Sequence, residues 1–246
     1  MGVVAIYSVK GGVGKTTLAT NLAWYAAQSS RRRTLLWDLD AAGGSAFLLG
    51  REPPRKQRAL RLFSREIPAA RLIRDTEFAK LDLLPSDSSL WDLSGHLVSL
   101  GKKHRLARIA KELGRSYSRI ILDCPPVLSE LSAQAMRAAD LVIVPLPPSP
   151  LSSRALEMVA DQARQMVRHH PPILPVFSMI DRRRALHREA LEQHPDWPVI
   201  PLASAYEQCA VQRQPIGALA PGSLAARRIG DLWRAIDLKL AELKRA

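Results

Sequence analysis

The sequence predicts an α/β fold, a mostly parallel twisted sheet with helices on both faces. Short apolar runs rich in β-branched residues alternate along the chain with stretches of helical periodicity, which is the order of elements in such a sheet. Runs of this kind are typical of strands covered on both faces. No linker or internal repeat divides the 246 residues, of which 47% are hydrophobic, so we predict a single domain over residues 1–246.

In chain order, the first strand is followed by a glycine-rich turn and by a helix with an apolar face. Residues 41–80 contain a glycine and proline loop and a basic, helical stretch, and a polar loop is predicted after Pro201. The predicted strands are Val3–Val9, Thr34–Asp38, Leu81–Pro85, Arg119–Asp123, Leu141–Pro145, Ile173–Ile180 and Val199–Pro201. The predicted helices are Thr16–Gln28, most of Ser89–Gly114, Glu130–Ala139, Ser152–Arg168 and Leu224–Leu243.

The net charge of +13 is concentrated in one part of the chain. Residues 51–119 carry 16 basic and 8 acidic side chains, whereas residues 120–180 carry 4 and 5. An excess of this size favours attraction to a polyanion such as DNA, RNA or an anionic membrane. A solubilising surface is the alternative interpretation.

Cysteine content and hydropathy exclude two classes of protein. Cys124 and Cys209 are too few for a disulfide framework and indicate reduced thiols in a cytosolic protein. No apolar run approaches the roughly 20 residues that a membrane-spanning helix needs.

The segment Lys10–Thr17, Lys-Gly-Gly-Val-Gly-Lys-Thr-Thr, lies between a predicted strand and a predicted helix. Its glycines allow successive backbone N–H groups to point at phosphate oxygens, and the following helix adds its positive N-terminal end. Lys15 can reach the β- and γ-phosphates, and Thr16 can supply a hydroxyl to Mg²⁺. The segment therefore predicts a P-loop that binds ATP with Mg²⁺. The predicted nucleotide-binding residues here are Gly11, Gly12, Val13, Gly14, Lys15, Thr16 and Thr17.

Two other predicted strands end in acids, at Asp38-Leu39-Asp40 and at Asp123. The carboxyl ends of parallel strands line the ligand crevice of such a sheet. A buried strand that ends in aspartate can hold one carboxylate near Mg²⁺, often through a water molecule. We therefore predict a metal site formed by Thr16, Asp38 and Asp123.

These motifs resemble those of the ParA/MinD family of ATPases with a deviant Walker A motif, and most closely those of small ParA-type partition ATPases. Val9 stands where the strict P-loop pattern has its first glycine, and Lys10 matches an additional family lysine that reaches the partner's nucleotide across a dimer interface. Asp40 matches the acid that positions the attacking water, although Ala41-Ala42 replace the family's Pro-Gln behind it. The catalytic residues that the resemblance implies are Lys10, Lys15 and Asp40.

The resemblance covers most of residues 1–217 and is weak over 41–115. It implies a P-loop NTPase fold and places Pro201 beside the nucleotide base. Only nine residues precede Lys10, so we do not expect the additional helix-turn-helix domain of larger partition ATPases.

The family resemblance also implies a biological role. ATP joins two family members into a homodimer, and hydrolysis, stimulated by a ParB-like or cargo adaptor protein, releases them. We expect a cytoplasmic, nucleoid-associated ATPase that segregates or positions DNA or a protein cargo, with non-specific DNA binding by the ATP-bound dimer. Basic segments at Arg51–Arg65 and Lys102–Arg108 fit this expectation. The predicted DNA-binding residues are Arg182, Arg183, Arg184, Arg188, Arg227 and Arg228.

Two alternatives stay open. The first is a MinD-like membrane-associated switch, because Leu224–Leu243 is amphipathic and basic, although such a helix can equally pack on its own domain. The second is an assembly or accessory P-loop ATPase, for example of the cellulose-synthesis type, without DNA binding. Relatives that hold a metal cluster commonly use paired cysteines, and Cys124 and Cys209 do not form such a motif.

Overall fold

We describe the fold from a computed structural model of the chain, over residues 1–52, 58–99, 103–166 and 170–245. Within these residues the strands are β1 Gly2–Ile6, β2 Thr34–Asp38, β3 Arg74–Asp75, β4 Leu81–Leu84, β5 Arg119–Asp123, β6 Leu141–Leu146, β7 Ile173–Ile180 and β8 Val199–Pro201. The helices are α1 Lys15–Gln28, α2 Gly44–Leu48, α3 Ala59–Phe63, α4 Leu93–Ser99, α5 Arg105–Leu113, α6 Glu130–Ala138, α7 Pro150–Met166, α8 Ala185–Gln193, α9 Ser204–Gln212, α10 Ile216–Leu219 and α11 Leu224–Glu242.

The strands of the described chain form one eight-stranded sheet in the order β3-β4-β2-β5-β1-β6-β7-β8. All neighbours are parallel except β3, a two-residue edge strand that runs antiparallel to β4. From β1 the chain first builds the sheet towards β2 and β4, and it later builds towards β6, β7 and β8. The order therefore reverses beside β1, which is where such sheets form a ligand crevice. This architecture confirms the predicted fold class.

Both faces of the sheet are covered, because alternate residues of each strand enter different apolar clusters. Val3 and Ala5 of β1 pack with α3 to α7, whereas Val4 and Ile6 pack with α1 and α11. Strands that are buried on both faces need apolar side chains at every position, which explains the continuous apolar runs in the sequence. Among the described helices, none is long and apolar enough to cross a membrane.

Several sequence predictions about element boundaries were wrong. β1 ends at Ile6 rather than Val9, because the chain leaves the sheet before the glycine turn. The predicted loop at Gly43 and Gly44 contains α2, and the predicted polar loop after Pro201 contains α9. The predicted Ser89–Gly114 helix is a 3₁₀ turn at Ser88–Trp91 followed by α4 and α5. The predicted elements and basic segments also include residues 53–57, 100–102 and 167–168, which lie outside the described residues.

The terminal helix α11 is attached to the sheet and to the α1 region by partly buried polar contacts. The Arg119 guanidinium, 4% exposed, donates through Nε to Asp237 Oδ1 at 3.0 Å. Tyr25 Oη donates to the Ala226 carbonyl at 2.7 Å, and Trp233 Nε1 donates to Ser30 Oγ at 2.8 Å. The apolar face of α11 is buried against the domain and consists of Ile229, Leu232, Trp233, Ile236 and Leu240.

We expect Asp237→Ala to lower the free energy of unfolding by about 2–3 kcal/mol, because a buried guanidinium would lose its carboxylate partner. Asp231→Ala is the matched control, since it removes an exposed carboxylate from the same helix, where Asp231 pairs with Arg234 three residues away. That change should cost less than about 1 kcal/mol. Urea titration of both variants measures the difference, and equal losses would contradict the buried role of the Arg119–Asp237 pair.

Candidate nucleotide site

The glycine-rich loop between β1 and α1 has the backbone geometry of a phosphate cradle. Gly12 and Gly14 adopt positive φ angles of 70° and 88°, which side chains rarely tolerate. Cβ atoms added at Gly11 or Gly12 would meet no protein atom within 4 Å, so the backbone there faces open space. The N–H groups at the start of α1 follow directly, and the loop can therefore surround an anion.

Lys15, at the first position of α1, is almost completely buried at the base of this loop. Its Nζ donates to the Lys10 carbonyl at 3.0 Å. Burial lowers the pKa of Lys15, and the negative charges of Asp123 and Asp40 partly offset that effect. The ammonium group is thus held in place by a neutral acceptor and lies within the field of two acids.

The acids at the ends of β2 and β5 lie side by side. Asp38 and Asp123 are paired positions in the register of these parallel strands, and both are fully buried. Burial raises the pKa of Asp123 to about 6, although the hydroxyl groups of Ser45 and Thr16 oppose the shift. Burial and the neighbouring Asp123 charge raise the pKa of Asp38 well above its usual value. Two buried carboxylates this close create a site that a cation would stabilise.

Asp40 lies at the rim of the site, two residues beyond the buried Asp38. Its Oδ1 accepts a hydrogen bond from the Ala42 N–H at 3.1 Å, and its carbonyl accepts one from the Gly43 N–H at 3.0 Å. Gly43 has a positive φ of 70°, which permits this tight turn. The Asp40 carboxylate is half-exposed and therefore accessible from the crevice.

The residues present fit a magnesium ion. Asp123 Oδ1 is buried and has no hydrogen-bond partner in the part of the chain that the structure describes, and a buried carboxylate oxygen needs one. Within the same residues no group of three or more His, Cys, Asp or Glu side chains could hold a metal alone. Thr16 and Asp123 would therefore supply part of a shell that phosphate oxygens and water complete. A bound Mg²⁺ would neutralise phosphate charge.

An apolar cavity of about 300 Å³ opens beside the glycine loop. Gly14 and Thr17 form one wall, and the predicted base contact Pro201 lies on another, with Tyr206. Ser178 also lines the cavity, and its buried Oγ lacks a hydrogen-bond partner among the described residues. The volume and lining suit a planar heterocycle, and Ser178 adds one polar group that can contact it. Ser178 lies within the predicted strand Ile173–Ile180, and no sequence motif marks its side chain.

Three of the six predicted DNA-binding arginines line a second groove, of about 530 Å³. Arg182 and Arg183 follow β7, Arg228 lies on the first turns of α11, and all three line the groove. Pro201 and Leu202 line both this groove and the apolar cavity, so the β8–α9 connection forms a wall between them.

The six arginines differ in their contacts. Arg183 forms two hydrogen bonds to the Asp181 carboxylate, which lower the pKa of Asp181 to about 2. Arg188 donates to the carbonyls of Arg182 and Arg183, so it supports the β7–α8 loop. In the described chain, no carboxylate lies within 4.0 Å of the other five arginines, which are Arg182, Arg184, Arg188, Arg227 and Arg228.

Comparison with known proteins agrees with this geometry. A family model described as an AAA domain matches residues 1–174. The chromosome partitioning protein ParA of Caulobacter vibrioides is 36% identical over 203 residues, which cover 76% of this chain and 73% of the relative. The chain belongs to the ParA/MinD family of P-loop ATPases. As a member of this family it is an ATPase.

Solved structures of ParA/MinD proteins share the fold. The ATP complex of McdA from Cyanothece has a TM-score of 0.81 at 22% identity and covers 96% of this chain and 95% of McdA. MinD of Pyrococcus horikoshii, complexed with Mg-ADP, has a TM-score of 0.77 at 24% identity and covers 99% of this chain and 98% of MinD. At these identities the likeness concerns the fold, and residue roles depend on the local geometry.

We expect Asp123→Asn to stabilise the nucleotide-free protein in EDTA at pH 7. The native pKa of Asp123 is about 6 against an ordinary value of 3.8, so native-state stability is lost as the pH rises from about 4 to about 6 and Asp123 ionises. The amide removes that loss, with a gain on the order of 1–3 kcal/mol above pH 6 and none below pH 4. Urea titrations across this range test the prediction, and a less stable variant at pH 7 would contradict it.

Proposed function

We propose that this ATPase is a switch of the ParA type, in which ATP binding joins two copies and hydrolysis separates them. The observation that supports this proposal most directly is the environment of Lys10. Its Nζ donates to Ser152 Oγ at 3.3 Å, and no carboxylate lies within 4.0 Å of it among the residues described. A half-exposed cation at the mouth of the site, with only a neutral partner, is available to a phosphate group of a second subunit.

The position of Lys10 adds an electrostatic reason. Ser152 lies in the first turn of α7, where the helix dipole presents positive charge, so the ammonium group is poorly placed in the isolated subunit. Two nucleotides brought together across an interface carry a large negative charge, which a lysine from each side would offset. Exposed apolar side chains flank the same region, namely Val127, Leu128 and Leu151, and a subunit interface would cover them.

Within this switch, each site residue has a proposed role. Lys15 and the loop N–H groups bind the phosphates, while Thr16, Asp38 and Asp123 hold Mg²⁺ directly or through water. Asp40 orients the attacking water, Lys10 stabilises the charge on the partner's nucleotide, and Pro201 contacts the base. The half-exposed position of Asp40 suits a group that acts only when the crevice is closed by a partner subunit or an adaptor protein.

We further propose that the ATP-bound dimer binds DNA without sequence specificity through the arginine groove. Arg182 and Arg228 line the groove and form no ion pair within 4.0 Å in the described chain, while Asp181, which also lines it, pairs with Arg183. The N-terminus of α11, capped by Ser223, lies beside Arg227 and Arg228 and adds backbone N–H groups that suit phosphate. Cytoplasmic localisation on the nucleoid, and a cargo partner that stimulates hydrolysis, belong to the same proposal.

Two observations argue against a membrane-inserted α11 and against a metal cluster shared by the two cysteines. The apolar face of α11 is buried against α1 and the sheet, so it is not free to enter a bilayer. Cys124 and Cys209 are both buried in apolar clusters on opposite faces of the sheet, so they cannot ligate one metal cluster together.

We expect Asp40→Ala to bind ATP with nearly unchanged affinity and to accumulate as an ATP-bound dimer, because it retains the phosphate and metal ligands but cannot position water. Lys10→Ala should remain monomeric with ATP, and Lys15→Ala should not bind ATP. Size-exclusion chromatography with light scattering, with and without ATP and Mg²⁺, measures all three. An Asp40→Ala variant that stays monomeric under conditions where the wild type dimerises would exclude the proposed role of Asp40.

We expect the double variant Arg182→Ala, Arg228→Ala to bind duplex DNA at least about 10-fold more weakly at low salt in the presence of ATP. The slope of log affinity against log salt should fall by about 2, because each phosphate contact contributes about 0.9. The control is Arg164→Ala, Arg234→Ala, which removes two exposed arginines that each pair with an aspartate on their own helix. Fluorescence anisotropy at several salt concentrations measures both, and equal losses would reject the groove as the binding surface.

A further inference from the structure

Ser45 contacts both buried acids of the site, although no sequence motif marks it. It lies in the first turn of α2 and is fully buried. Its N–H donates to Asp38 Oδ2 at 3.2 Å, and its Oγ donates to Asp123 Oδ2 at 2.8 Å. One residue therefore connects the carboxyl ends of β2 and β5 through a backbone and a side-chain hydrogen bond.

The same network reaches Asp40. Asp38 Oδ1 accepts from the Asp40 N–H at 3.0 Å, while Asp38 Oδ2 accepts from Ser45. The Asp38 carboxylate thus holds both ends of the four-residue turn 41–44. The Ser45 hydroxyl is the additional contact that ties this turn to Asp123 and hence to β5.

The turn between Asp40 and Ser45 has no side chain larger than a methyl group. It contains two alanines and two glycines, and Gly43 adopts a positive φ. It is also packed tightly against the P-loop, since a Cβ on Gly44 would lie 3.0 Å from Thr16 Cγ2. A small displacement of α2 would therefore move Asp40 relative to Thr16 and Asp123, the residues proposed to hold Mg²⁺.

We propose that Ser45 is a positioning residue for ATP hydrolysis, whose hydroxyl fixes the turn carrying Asp40 relative to Asp123. The proposal rests on the proposed roles of Asp40 and Asp123. Ser45 is too deeply buried to take part in the reaction itself. It acts through Asp40, whose turn it ties to Asp38 and Asp123. Displacements of about 1 Å near a reacting centre can reduce rates by up to about 100-fold.

The test is steady-state hydrolysis of ATP by Ser45→Ala at saturating ATP, without DNA. The expected result is a kcat at least about 10-fold lower, with the affinity for Mg-ADP within about 3-fold of wild type, because the phosphate-binding loop is intact. A merely structural role would change affinity and thermal stability together with kcat. Ser45→Ala should also add less than about 2-fold to the loss already caused by Asp40→Asn, since both act through the same group.

Thr34→Val is the matched control, because it removes a buried hydroxyl from the other end of β2, where Thr34 Oγ1 donates to the Arg32 carbonyl at 2.8 Å. It should hydrolyse ATP at the wild-type rate. A Ser45→Ala kcat within about 2-fold of wild type, a parallel loss of Mg-ADP binding, or full additivity with Asp40→Asn would each overturn the proposal. Because no DNA is present, failure of the proposed DNA binding would leave these measurements unchanged.

Discussion

The burial of two carboxylates next to each other, at the ends of β2 and β5, is the constraint on which the rest of the site depends. The parallel register places Asp38 and Asp123 opposite each other, and the apolar sheet excludes water from both. Their ionised forms are therefore costly unless nearby donors and cations compensate. Lys15, Thr16 and Ser45 bring a positive charge and two hydroxyl groups towards Asp123 from the P-loop and α2. These groups offset only part of the cost of ionising it, because its pKa remains raised. A cation bound beside these acids would stabilise their ionised forms.

The elements that could be predicted from the sequence are those that carry their signal locally. β2, β5, β7 and β8 were predicted with the bounds found, because each is a short apolar run that ends at a charged or turn-forming residue. The glycine loop was recognisable because its motif is likewise contiguous in the sequence. In contrast, β3 is only two exposed residues on the sheet edge, and its pairing with β4 follows from proximity in the fold.

Side-chain relations between distant parts of the chain were not predictable. Ser45 and Asp123 are separated by 78 residues. A serine after two glycines indicates only a turn, and its contact with Asp123 arises because the sheet places β5 beside β2. The arginine clusters near residues 182 and 228 were recognised individually. They line one groove because α11 packs on the sheet, to which the ion pair between Asp237 and Arg119 of β5 attaches it. The same packing removes the amphipathic face of α11 from contact with a bilayer, which the helical periodicity alone could not decide.

The wall formed by Pro201 and Leu202 has a thermodynamic consequence. It borders the apolar cavity on one side and the arginine groove on the other, so it cannot move towards one without changing the shape of the other. If a base in the cavity and a polyanion in the groove prefer different positions of this wall, their binding free energies are coupled within a single subunit. Such coupling is reciprocal: the factor by which nucleotide alters affinity for the polyanion equals the factor by which the polyanion alters affinity for nucleotide.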